Sequence, residues 1–297
     1  MRLGEARFDY PLGAGGTRLA LSGSRTRVEP GFTLKRFDID SDVTSLAVGV
    51  FHPLLRSRRS NLAVEGRFDL RNIDTRQLSN IALSEDRIRA VRVSGVYDFL
   101  DNVVERPAVN IVTVELSQGV DVFGERKSGS AGMSRPSGRS QFTKIKAGGQ
   151  RLQNISGPFG LLVGASGQYS LSTLLASEEF GFGGAQFGRG YDPLEITGEH
   201  GVSAKVELQY TRSLENEGIK DYQIYGFYDF GSVWNRDTET GARHQTSAAS
   251  TGIGLRLNVT DWLSGAVEIG LPLTGTVAAR GQDGDEARVF FSLIAKF

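Results

Sequence analysis

The sequence predicts an all-β protein, a transmembrane antiparallel β-barrel. Three observations carry that expectation: long segments in which apolar and hydrated residues alternate, connections that alternate between short and long, and a glycine-rich composition. The chain of 297 residues holds 38 Gly and is 39% hydrophobic. Glycine is thus nearly twice as common as usual, which suits many strands and turns better than a helical core. Formal net charge is zero, so no overall field draws the chain to nucleic acid. The absence of Cys removes disulfides, thiolate catalysis and zinc-thiolate sites, and the three His (His52, His200, His244) stand far apart. The sequence therefore implies no metal and no cofactor. No stretch reaches the length of a transmembrane helix, but a barrel strand needs only about ten alternating residues to cross a bilayer.

Period two is clearest where Val202, Ala204, Val206, Leu208 and Tyr210 alternate with Ser203, Lys205, Glu207, Gln209 and Thr211. Leu62, Val64, Phe68 and Leu70 alternate in the same way with Asn61, Glu65, Arg67, Asp69 and Arg71. So many charges on one face cannot line a dry core, where each would lose its hydration, but they suit a water-filled lumen. Thirteen strands are expected, at 2–10, 16–28, 42–52, 60–71, 86–99, 107–118, 139–153, 158–170, 200–213, 220–232, 249–260, 262–272 and 286–297. Short connections fall at 11–15, 53–59, 100–106, 154–157, 214–219 and 261, and long ones at 29–41, 72–85, 119–138, 171–199, 233–248 and 273–285. Transmembrane barrels have short periplasmic turns and long outer loops, so this order orients every strand and puts the carboxyl terminus on the periplasmic side. An odd strand count and a start without an apolar signal region (Met1-Arg2-Leu3-Gly4-Glu5) lead to the expectation that 1–297 is a barrel lacking its signal peptide and first strands.

The Gly/Ser/Arg-rich segment 127–139 reads as a solvated outer loop. The connection 171–199 carries Phe180-Gly-Phe-Gly-Gly-Ala-Gln-Phe-Gly-Arg-Gly-Tyr191, which no helix follows and which does not match a phosphate-binding fingerprint. Gly188-Arg189-Gly190-Tyr191 instead resembles the VRGY/F signature of the sixth outer loop in two-partner secretion transporters and barrel-assembly proteins, with Gly188 where Val or Ile is usual. Phe227-Tyr228-Asp229-Phe230-Gly231 resembles the F-x-D-x-G element of the same superfamily. Gln223, Tyr225, Phe227 and Asp229 share one face, opposite Ile224, Tyr228 and Phe230. The resemblance implies that the loop folds into the lumen and that Arg189 pairs with Asp229, while Phe187 and Tyr191 pack its tip. A guanidinium facing a carboxylate in a narrow polar lumen forms a charge-assisted bond, and exchanging the two charges is expected to restore what either single reversal loses.

Val50-Phe-His-Pro-Leu-Leu-Arg-Ser-Arg-Arg-Ser-Asn-Leu62 is similar to a turn of the hemolysin-activator branch. That branch is sixteen-stranded, and the resemblance implies that three strands and two periplasmic POTRA modules precede this sequence. The terminal Phe297 resembles the signal by which outer-membrane barrels are recognised for insertion by the barrel-assembly machinery. Among enzymatic readings, the acids Glu178 and Glu179 are expected to be solvated loop residues, and His200 beside Glu199 is a faint candidate at best. The expectation is a non-enzymatic transporter of the bacterial outer membrane, whose partners are a secreted hemolysin- or adhesin-type exoprotein and the lipid bilayer. Barrel assembly and passive porin function are the alternatives.

Overall fold

The computed structural model describes residues 2–28, 39–77, 81–124, 132–216, 218–236, 244–274 and 286–296. Its strands are β1 (Arg2–Leu12), β2 (Thr17–Val28), β3 (Asp40–Arg56), β4 (Ser60–Gln77), β5 (Ile81–Asp101), β6 (Ala108–Gly119), β7 (Thr143–Ser156), β8 (Phe159–Ser170), β9 (Phe180–Phe182), β10 (Ile196–Gly198), β11 (His200–Asn216), β12 (Ile219–Trp234), β13 (Gln245–Asn258), β14 (Leu263–Pro272) and β15 (Arg288–Ala295). Thirteen of them form one sheet in chain order, with β8 next to β11, and β9 and β10 form a separate two-stranded ribbon. Every strand expected from the alternation is therefore present.

The differences lie at strand ends. The expected loop 72–85 is largely strand, because β3 and β4 stay in register as far as Asp40↔Arg76 and β5 begins at Ile81. Backbone pairing does not require apolar side chains, so it runs past the point where alternation fades into Asp74 and Arg76. Conversely, 139–142 is not strand. Arg139 makes a parallel bridge with Leu174, and Phe142 is buried with Met133, Leu174 and Leu175 instead of continuing β7. The ribbon β9–β10 pairs Phe182 with Ile196 over only three residues, too few to leave a periodic signal.

By contact density the chain divides into two compact units, the first of residues 1–97, 113–146 and 169–179, the second of 98–112, 147–168 and 180–297. Each has the reverse of a soluble polarity. In the second, Val206 and Leu208 on β11 are 44% and 51% exposed, while Glu207 between them is 1% exposed. In the first, Leu46 and Val48 are exposed, while Asp69, Asp86, Arg89 and Arg92 are buried. Apolar side chains outward and charges inward is the arrangement a bilayer demands. The turn after β3 is set by Ser57, whose Oγ accepts from the backbone N–H groups of Arg59 at 3.2 Å and Ser60 at 2.9 Å.

One consequence is measurable. Val206→Arg places a charge mid-strand on the apolar face, and is expected to cost about 2–4 kcal/mol of stability in urea unfolding from phospholipid bilayers. An unchanged midpoint would mean that this face does not meet lipid.

Candidate functional site

In the second unit the connection after residue 179 returns onto the buried face of β11–β14. Its base is the β9–β10 ribbon, and its tip is closed by tight turns in which the N–H groups of Gly183 and Gly184 donate to the carbonyls of Phe187 and Gly188. Gly188 has φ +85°, a left-handed conformation that β-branched residues rarely adopt. A Cβ there would also lie 2.7 Å from the Phe182 ring. The Gly that departs from the usual motif is thus required by the turn, and Phe182 supplies the apolar anchor.

The turn directs the backbone N–H groups of Gly188 and Arg189 at Asp229 Oδ2, each at 3.0 Å. The Arg189 side chain completes the grip: Nε donates to Oδ2 at 3.0 Å and Nη2 to Oδ1 at 2.9 Å. This is the planar two-point recognition that a guanidinium makes and an ammonium cannot. Asp229 is fully buried and Arg189 is 3% exposed. The guanidinium also lies 3.5 Å above the Phe227 ring.

Register explains the convergence. Pairing of Glu207 with Phe227 and of Lys205 with Asp229 sets Glu207 on the same face as the motif residues. Arg189 Nη1 donates to Glu207 at 2.7 Å and to Glu268 of β14 at 3.2 Å. Arg256 Nη1 and Gln209 Nε2 both donate to Glu207 Oε1, and the Tyr225 hydroxyl donates to Glu268 at 2.8 Å. Burial alone would lower the Arg189 pKa, but Asp229, Glu207 and Glu268 outweigh it and raise it above the ordinary value.

The remaining expected residues group around this centre. Tyr191 is buried against Phe182, and its hydroxyl donates to the Ala249 carbonyl at 2.9 Å. Phe187 is partly buried on the same apolar cluster, and Gly190 is buried where the chain passes the Leu271–Pro272 backbone. Gly231 leaves the space filled by the Phe182 ring, which any Cβ would strike. Phe297 lies outside the described residues.

Motif reasoning missed Glu207, Glu268, Tyr225, Arg256 and Phe182. Strand parity places Glu207 and Tyr225 on the correct face, but only register brings Glu268 beside them. The expectation of solvated acids at 178 and 179 is incorrect. Glu178 is 2% exposed and meets Arg92 and Lys144, while Glu179 pairs with Arg135 at 2.8 Å. Glu199 is also fully buried, its carboxylate accepting from the Arg236 N–H at 2.7 Å.

The fold has solved counterparts. CdiB from Escherichia coli superposes with a TM-score of 0.77 at 17% identity, covering 98% of this chain and 52% of that one. BamA from Haemophilus ducreyi lacking POTRA domains 1-3 superposes with a TM-score of 0.63 at 12% identity, covering 98% and 62%. Fold and polarity together define a transmembrane β-barrel protein. The chain belongs to the haemolysin secretion/activation protein family ShlB/FhaC/HecB, whose model matches residues 4–257. It is 19% identical over 301 residues to the heme/hemopexin transporter protein HuxB of Haemophilus influenzae, covering 99% of this chain and 52% of that protein. The chain thus spans about half the length of the curated relative it matches.

Asp229→Ala leaves Arg189 Nε and Nη2 and two backbone N–H groups without their acceptor. Removing one member of a buried pair costs about 3–5 kcal/mol, so the tip is expected to undock while the strands persist. Hydrogen exchange over residues 183–191 would read this as lost protection, and retained protection would show that Glu207 and Glu268 suffice.

Proposed function

We propose that this chain is the membrane-embedded part of a two-partner secretion (type Vb) transporter. It passes a large, unfolded exoprotein of hemolysin or adhesin type through the barrel interior to the cell surface without ATP. The observation that carries this reading is a loop docked by Arg189 onto Asp229, in a chain of the haemolysin secretion/activation family. A buried ionic clasp holds the docked loop in the conducting or the plugged conformation, and secretion depends on that hold. Upstream POTRA modules would deliver the passenger, and the barrel-assembly machinery would insert the chain into the bilayer using its last strand. Barrel assembly is the second reading. It shares the fold at a TM-score of 0.63 against 0.77 for CdiB, and the family match favours secretion.

In cells producing the complete protein and its cognate exoprotein, Arg189→Ala is expected to lower secretion at least about tenfold, as loss of one buried charged contact implies, while barrel levels stay unchanged. The exchange Arg189→Asp with Asp229→Arg is not expected to rescue it. An acid at 189 would face Glu207 and Glu268, which the motif alone does not reveal. Full secretion by Arg189→Ala would remove the clasp from the mechanism, and normal secretion combined with failed assembly of other barrels would favour the second reading.

A further inference from the structure

The first unit contains a second ionic clasp on the same connection. Residues 171–179 run along the buried side of β5 and β7 and end in a short 3-10 turn, Ala176–Glu178. Leu174 and Leu175 are fully buried among Ile88, Ala90, Met133 and Phe142. Segment 132–142 is stitched to this limb: Thr173 Oγ1 donates to the Ser137 carbonyl at 2.6 Å, Arg135 Nη1 to the Leu174 carbonyl at 2.9 Å, and the Ala176 N–H to Ser134 Oγ at 3.2 Å.

At the end of the limb the Glu178 carboxylate receives three cations from the strands. Arg92 Nη2 donates to Oε1 at 2.7 Å and Nη1 to Oε2 at 3.2 Å. Lys144 Nζ lies 2.8 Å from Oε2 and also donates to the Glu178 carbonyl at 2.7 Å. Arg71 Nη1 stands 3.7 Å from Oε1. Arg92 is itself shared with Asp69 at 2.6 Å and Ser117 at 2.8 Å, with Glu115 at 3.7 Å. Arg67 Nε lies 2.8 Å from Asp69 as well, so four cations face the three carboxylates. Without Glu178, Arg92 would keep Asp69, itself shared with Arg67, and Glu115 as its described carboxylate partners.

We propose that Glu178 is a second latch, a positioning residue that fixes the proximal limb of the 171–199 connection to β4, β5 and β7 independently of Arg189. Among the described residues, none of the contacts named for this latch involves Arg189, Asp229 or a residue they touch. Releasing the tip therefore leaves residues 171–179 held, and full withdrawal of the connection requires two separate ionic ruptures.

Protonation gives the latch a pH signature. Burial alone would raise the Glu178 carboxyl, but Lys144 and Arg92 outweigh burial and bring it from 4.5 down to about 2. A carboxyl depressed in the docked state contributes stability that is complete above its free value and lost as the pH falls. Protection of residues 174–179 from hydrogen exchange, corrected for intrinsic rates, is expected to be constant above pH 4.5 and to decline as the pH drops toward 2.

The decisive test uses a single thiol, since the chain has no Cys of its own. Leu175→Cys in the complete protein, with any Cys outside this sequence replaced by Ser, in outer membranes, places that thiol at a site that is fully buried when the limb is docked. Its rate of labelling by a membrane-impermeant maleimide is expected to rise about tenfold or more with Glu178→Gln, because a charge-assisted buried contact is lost. The rise should be smaller with Glu178→Asp, which keeps the charge, and absent with Asp229→Asn. An unchanged rate in Glu178→Gln, or an equal rise in Asp229→Asn, overturns the proposal. Should Glu178→Gln fail to give a heat-modifiable barrel on gels, Glu178→Asp is read alone, and an unchanged rate there overturns it equally. The labelling needs no passenger, so it stands or falls separately from the secretion reading.

Discussion

A guanidinium held among Asp229, Glu207 and Glu268 is the contact on which the architecture of the second unit depends. Taking an arginine out of water is costly, and only several well-placed carboxylates and hydrogen bonds offset it. Those carboxylates come from β11, β12 and β14, so their register must hold to the residue: a one-position slip would turn Glu207 or Asp229 to the opposite face. The loop's tight turns meet the same demand, because Gly188 and Arg189 must both present their N–H groups to a single oxygen. Aromatic packing follows from this geometry, with Phe182 resting where Gly231 leaves room and Phe227 beneath the cation.

The two compact units solve a common problem with different chemistry. In the second, the loop supplies the cation and the strands supply the acids. In the first, the limb supplies an acid, Glu178, and the strands supply Arg92 and Lys144. Each ionic centre lies close to apolar residues of its own unit, Leu174 and Leu175 in one and Tyr191 and Phe182 in the other. Excluding water in this way strengthens each pairing and makes the loss of either partner expensive.

Much of the fold was legible in the sequence because alternation is a direct imprint of a sheet with one apolar and one hydrated face. Strand ends were less so, since pairing at Asp74 and Arg76 is a backbone matter that side-chain polarity does not report. The pairing of Arg189 with Asp229 was reachable through two short motifs. Glu207 and Glu268 were not, because many strands carry inward charges and only three-dimensional register singles these out. Glu178 was misread for a simpler reason. An acid in a long connection is usually solvated, and nothing local signals that Arg92 and Lys144, remote in sequence, converge on it.

The interleaving of Glu207 between Val206 and Leu208 also bears on the journey before insertion. Because a charged or polar residue interrupts nearly every second position, windows of about twenty residues stay too hydrophilic to partition sideways into the inner membrane as a helix. Such a chain can thread through a translocation channel without being arrested there. Its greasiness becomes contiguous only when strands form and all the odd or all the even side chains swing to one side, so membrane affinity is acquired at the destination and not en route.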